Sequence, residues 1–248
     1  MAAEETLTQR LQRRYFAPED HPYRIYERAV EALLRPEHTL VDGGCGRTAP
    51  VLRKYKHKAR RLVGVDLVEF DPATREPGID YVAASIGDTG LEAESVDLLI
   101  SRALMEHVED PAAVFREARR ILVPGGHFVY LAPNLWDYGS LAAWMIPNRM
   151  HPWIVARTEG RATEDTFPTY FRANTRRTVR RLARASELEI DSFRYLGQYP
   201  AYLAFNPLLF LLGTAYEKVI SRFELLGFLR GWILVDLRKP EPTPAASR

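Results

Sequence analysis

Between Thr39 and Arg47 the chain reads Thr-Leu-Val-Asp-Gly-Gly-Cys-Gly-Arg, an apolar run followed by a carboxylate and then glycines at 43, 44 and 46. Glycine lets a backbone turn sharply and approach a ligand with no Cβ in the way, so a strand running into such a turn marks a nucleotide-cofactor site. Gly44, Gly46 and Ala49 fit the spacing G-x-G-x-x-G/A, and Asp66, ending the next apolar run, stands where a carboxylate meets ribose hydroxyls.

The sign of Asp42 separates two kinds of cofactor. A dinucleotide would bring an anionic pyrophosphate to this turn, where a carboxylate repels it, whereas S-adenosylmethionine brings a sulfonium and an ammonium and no phosphate. Val41-Asp42-Gly43-Gly44-Cys45-Gly46 resembles the first motif of class I S-adenosylmethionine-dependent methyltransferases (type 11-like domain). Gly64-Val65-Asp66 resembles their second strand, and Val96 to Ser101, Glu106 to Pro111 and Leu122 to Gly126 resemble the later blocks, in the family's order. The resemblance implies an α/β, Rossmann-like fold: a mostly parallel seven-stranded sheet with helices on both faces and an antiparallel last strand. It also implies a cofactor set of Asp42, Gly43, Gly44, Gly46, Asp66, Leu67, Ser85, Ile86 and Ser101. Family members usually carry an acid after the third strand for the adenine amino group; here Ala84-Ser85-Ile86 stands there, with Asp88 as the competing candidate.

The elements that must position these residues follow in order. Residues 1–37 form an N-terminal helical segment, with an amphipathic helix from Pro22 to Leu34. In the family such a segment commonly folds over the cofactor, so Tyr15, Tyr23 or Arg24 would touch the methionine end. Residues 38–134 form the cofactor-binding core, with a short basic helix at Pro50 to Lys58. Its strands are expected at Arg61–Val68, Tyr81–Ala84, Val96–Ser101 and His127–Ala132, and Asp110-Pro111 opens a helix by capping its free amides. Asp97 starts the fourth strand, away from the ligand edge, and reads as structural; Ser101 leaves at the edge where open α/β sheets bind ligands.

Residues 135–175 form an aromatic and polar excursion of the length of a lid or substrate pocket. Residues 176–238 complete the core, with strands at Leu188–Tyr195 and Trp232–Leu237. The helix Arg172–Arg184, capped by Asn174 or Thr175, carries six arginines that read as a solvated face. The region 203–229 is too apolar for one buried face and calls for packing on the lid, a homodimer or a peripheral membrane contact. Residues 239–248 read as a disordered tail.

The net charge of +2 argues neither for nor against nucleic acid, and because no basic run is interleaved with aromatics no nucleic-acid partner is expected. One cysteine and no apolar leader imply a cytoplasmic setting, with membrane association through 203–229 as an alternative. No histidine, cysteine or carboxylate cluster has metal-ligand spacing, so no metal is expected. The implied reaction is transfer of the sulfonium methyl to oxygen, nitrogen or carbon of a small organic or lipid-like acceptor. His107, His151 and Asp165 are the candidates for a base, with Tyr170 weaker, and Glu106-His107 reads alternatively as scaffolding. A nicotinamide-dependent oxidoreductase using the same turn, and a non-catalytic binding protein on this fold, are the rival readings.

Overall fold

A computed structural model of the protein describes residues 6–145 and 168–242. Its strands are β1 (Thr39–Gly43), β2 (Arg61–Asp66), β3 (Asp80–Ala83), β4 (Val96–Arg102), β5 (Leu122–Pro133), β6 (Glu189–Leu196) and β7 (Trp232–Arg238). They pair in the order β3-β2-β1-β4-β5-β7-β6. Every contact from β3 to β5 is parallel, and β7 runs antiparallel to both β5 and β6. That reversed strand between β5 and β6 departs from the all-parallel dinucleotide fold, so the topology sides with the methyltransferase reading over the oxidoreductase one.

Strand alternation splits the core in two. Leu40, Leu62, Leu98, Ile100, Val129 and Leu131 face α2 (Pro22–Leu33), which contributes Tyr26 and Val30. Val41, Val63, Leu99, Phe128, Tyr130 and Val235 face the opposite layer. There they meet Phe115 and Ile121 of α3 (Pro111–Ile121), and Val179 and Leu182 of a helix at Arg176–Ala185. Each such side chain stabilises the fold by roughly 1.5–3 kcal/mol through burial, so the sheet is a rigid platform for whatever its edge carries.

The expected helix at Pro50–Lys58 is only a 3-10 turn, Leu52–Tyr55. Ala49 sits at φ 44° and His57 at φ 65°, neither of which an α-helix admits, and proline restricts the residue before it. Polar caps otherwise work as read: Asp110 accepts from the Ala112 and Ala113 amides, and Thr175, not Asn174, caps the Arg176–Ala185 helix through a capping box. The strand expected at His127 begins earlier, at Leu122, with a register shift where Pro124-Gly125-Gly126 bulges and Gly125 takes φ 81°.

In chain order the remaining helices are α1 (Leu7–Tyr15), α4 (Tyr138–Met145), α5 (Arg176–Ala185) and α6 (Pro207–Arg222). The arginines of α5 are exposed around a buried Val179-Leu182-Ala183 stripe, a solvated face as the spacing implied. The inner side of α6 packs chiefly on the N-terminal segment, with Phe210 against Phe16, and on the turn Pro200–Leu203. The 135–175 excursion, named first for this role, meets it within the described residues through Tyr138 and Tyr216. The outer stripe stays open, with Leu208 at 67 % and Leu212 at 61 % exposure. No described helix is long and apolar enough to cross a membrane.

Candidate functional site

Because β7 is reversed, one edge of the sheet collects the ends of β1, β2, β4, β5 and β6 and the start of β7: Gly43, Asp66, Arg102, Pro133, Leu196 and Trp232. The glycine turn opens there. Gly44 and Gly46 lie at φ 79° and 68°, and the Gly44 amide donates to the Val65 carbonyl at 2.8 Å. Asp66 clips the turn to the exit of β2: one carboxylate oxygen accepts from the Gly46 amide at 2.8 Å and the other from the Val68 amide at 3.2 Å. A carboxylate has about four acceptor sites, so capacity for ribose hydroxyls remains.

The two sides of this turn differ. A Cβ on Gly43 would meet Ile86 Cδ1 at 2.2 Å and one on Gly44 would meet Leu104 Cδ2 at 2.9 Å, whereas one on Gly46 would meet nothing within 4 Å. Ile86 and Leu104 therefore seal the underside, and the outer side is clear for a ligand. Leu67, beside Asp66, is exposed, as are Ser85 and Asp88, and the Ser85 hydroxyl accepts from the Gly87 amide at 3.1 Å.

Asp42 lies beneath this turn at 1 % exposure, with Oδ2 lacking a hydrogen-bond partner. Burial pushes its carboxyl up to about 7; Arg102 pulls the other way and Asp66 adds to the rise. Ser101 Oγ, one strand over, and the Tyr26 hydroxyl are also buried without partners. Arg102 lies over the Tyr23 ring at 4.4 Å and 3.9 Å from Glu27. Unpartnered buried polar atoms are rare enough in folded proteins to need an explanation. A ligand with a cationic sulfonium, an ammonium and a carboxylate fits this set: Asp42 for positive charge, Arg102 for negative, Asp66 for the ribose. Of the N-terminal candidates, Tyr23 reaches the site, Arg24 pairs with Glu27 at 2.9 Å, and the Tyr15 carbonyl accepts from Lys218 on α6. The sequence reading passed over Tyr26 as a polar neighbour of Asp42, because its helical spacing looks like core.

A cavity of about 730 Å³ extends along the same edge from Tyr23 and Arg102 past Tyr195–Tyr199 to Glu217 of α6. That size suits a small organic molecule.

His107 and Glu106 serve another end of the edge. His107 Nδ1 lies 2.9 Å from the Pro168 carbonyl, and the Glu106 carbonyl accepts from the Tyr170 and Phe171 amides at 2.7 and 3.2 Å. The pair thus anchors the chain at 168–171, which favours the scaffolding reading of His107. The Glu106 carboxyl is buried with Oε2 unpartnered, and burial raises it to about 7. His151 and Asp165 lie outside the described residues. Among the described residues no group of three or more His, Cys, Asp or Glu could hold a metal ion.

Residues 41–130 match the family model of a methyltransferase domain. The chain is 33 % identical over 111 residues, 42 % of its length and 32 % of the other's, to an uncharacterised 37.1 kDa protein in a transposon of Streptomyces fradiae. It is 29 % identical over 128 residues, 48 % of each chain, to a probable S-adenosylmethionine-dependent methyltransferase of Mycolicibacterium smegmatis. Its fold is similar to that of an S-adenosylmethionine-dependent methyltransferase from Mesorhizobium loti, with TM-score 0.58 at 21 % identity over 88 % of this chain and 97 % of that one. The chain spans about half or less of the length of these curated relatives.

Proposed function

We propose that this chain, whose residues 41–130 match the model of a methyltransferase domain, is a class I S-adenosylmethionine-dependent methyltransferase that methylates a small organic acceptor held in the cavity beside Arg102. The observation that carries the reading is the pairing of a turn open on its ligand side at Gly46 with an unpartnered buried carboxylate, Asp42, beneath it. A pyrophosphate would be repelled there; a sulfonium would be held.

When bound, the cofactor supplies an already activated methyl group. The residues of this chain then hold and orient: Asp66 the ribose, Asp42 and Arg102 the charged methionine end, and the apolar walls at Ile86 and Leu104 keep water from the underside of the turn. Placing two reactants in line is worth up to roughly 7–11 kcal/mol in favourable intramolecular cases, so positioning can account for much of the rate. A base is needed only where the acceptor must lose a proton, and Glu217, at the wall of the cavity with its carboxyl raised by burial, is the described acid placed for that task.

Calorimetry with S-adenosylmethionine, S-adenosylhomocysteine and NAD tests the cofactor, and mass spectrometry of a cell extract incubated with methyl-labelled S-adenosylmethionine tests the transfer. Binding of the two sulfur compounds and a labelled product are expected. Binding of NAD alone would overturn the reading.

A further inference from the structure

Glu217 sits in the inward stripe of α6 with Phe210, Gly213, Thr214 and Ile220, and is 2 % exposed at the wall of the cavity. A buried carboxylate is costly unless it is paired or well hydrogen-bonded. Here Oε2 has the Gln198 amide at 3.5 Å, the outer limit of such a contact, and Oε1 has no partner. A second acid lies close by. Asp137, also 2 % exposed, caps the start of α4 by accepting from the Gly139 and Ser140 amides at 3.0 and 3.3 Å, which explains Oδ2 and leaves Oδ1 unpartnered.

Gln198 links the two acids. The Trp232 indole N–H donates to its Oε1 at 2.8 Å, which turns its amide nitrogen toward Asp137 Oδ2 at 3.5 Å. Burial raises Glu217 to about 7 and Asp137 to about 6, and the charge of Asp137 lifts Glu217 further. Three of the cations along the cavity are engaged elsewhere: Lys218 donates to the Tyr15 carbonyl at 2.7 Å, Arg230 to Glu224 at 3.0 Å, and Arg102 covers Tyr23. Tyr138 and Tyr216 meet edge to face at 5.8 Å beside the acids, and the Tyr138 hydroxyl is buried without a partner.

Resting on the acceptor-pocket reading above, we propose that Glu217, backed by Asp137, is an ammonium-binding site that selects acceptors carrying a protonated amine. An ammonium offers three donors and a positive charge to a wall where Glu217 supplies the carboxylate, with Asp137 and the Tyr138–Tyr216 pair behind it. A hydroxyl offers one donor and leaves the paired negative charge uncompensated. An anionic group is repelled.

The test uses the full chain with n-hexylamine and its isostere 1-hexanol, measured by calorimetry at pH 8. Hexylamine should bind roughly tenfold or more tightly, as a charge-assisted hydrogen bond allows, and E217Q should erase that preference. Equal binding of the two probes, or a preference that survives E217Q, overturns the proposal. Should E217Q fail to fold, the parent protein decides: the preference should shrink as pH falls through about 7, where Glu217 takes up its proton. Asp137, Tyr138, Tyr216 and Gln198 stand around it, and His21, Arg102, Lys218 and Arg230 line the same cavity; a preference unchanged at pH 5.5 overturns the proposal. Neither probe needs the cofactor. Loss of S-adenosylmethionine binding with the amine preference intact would sink the methyl-transfer reading alone, and the converse would sink only the amine site.

Discussion

The Gly46 amide donates to the Asp66 carboxylate at 2.8 Å, tying the first turn to the end of the second strand across twenty residues of chain. One side chain therefore shapes the turn and, in the proposed reading, holds the ribose. Asp66→Ala should weaken S-adenosylhomocysteine binding by about 1.5–3 kcal/mol for each charge-assisted hydrogen bond lost. Isothermal calorimetry reads this directly, and an unchanged affinity would mean that the ribose lies elsewhere.

The glycines of the turn should separate folding from binding. Gly43→Ala drives a methyl against Ile86 Cδ1 at 2.2 Å, an overpacking expected to lower stability by about 1–3 kcal/mol. Gly46→Ala meets no neighbour within 4 Å and suffers mainly its φ of 68°, a strain of about 1–2 kcal/mol, while its methyl enters the ligand side. Melting curves alongside cofactor titrations should show both variants less stable, with the larger loss of binding per unit of stability at Gly46.

Binding of the sulfonium cofactor should depend on pH through Asp42. Its carboxyl stands near 7 in the free protein, raised by burial and Asp66 and opposed by Arg102. A cationic ligand favours the ionised form, so binding expels a proton below that pH. Affinity should be flat above about pH 7 and fall toward acid by up to about tenfold per unit. Asp42→Asn should flatten the profile, and proton release measured in buffers of different ionisation heat checks the sign.

His107 should act as an anchor for residues 168–171. Its ring holds the Pro168 carbonyl at 2.9 Å next to the Tyr170 and Phe171 amides that donate to Glu106. His107→Ala should speed hydrogen exchange at those two amides while leaving β4 and β5 protected. Unaltered exchange at both would remove the anchoring role.

The features legible in the chain were those set by local backbone chemistry. Glycines at 44 and 46 announced left-handed turn positions, Asp110 announced a cap and Asn174 or Thr175 another, and the apolar runs at 96–101 and 127–132 announced buried strands, because each depends on a few neighbouring residues. The short helix at 50–58 misread the same kind of signal, where Pro50 and the positive φ at Ala49 outweighed the helical spacing. Tertiary structure alone decided what surrounds each polar side chain. Asp42 could be placed at the turn, but its burial and its opposition to Arg102 come from strands and helices far apart in the chain. Glu217 drew no reading from the apolar 203–229 region, and only the packing of α6 turns it inward beside Asp137. Dihedral preferences act over a few bonds and so show in sequence, whereas desolvation and charge coupling depend on which distant segments share a volume, and only the folded chain determines that.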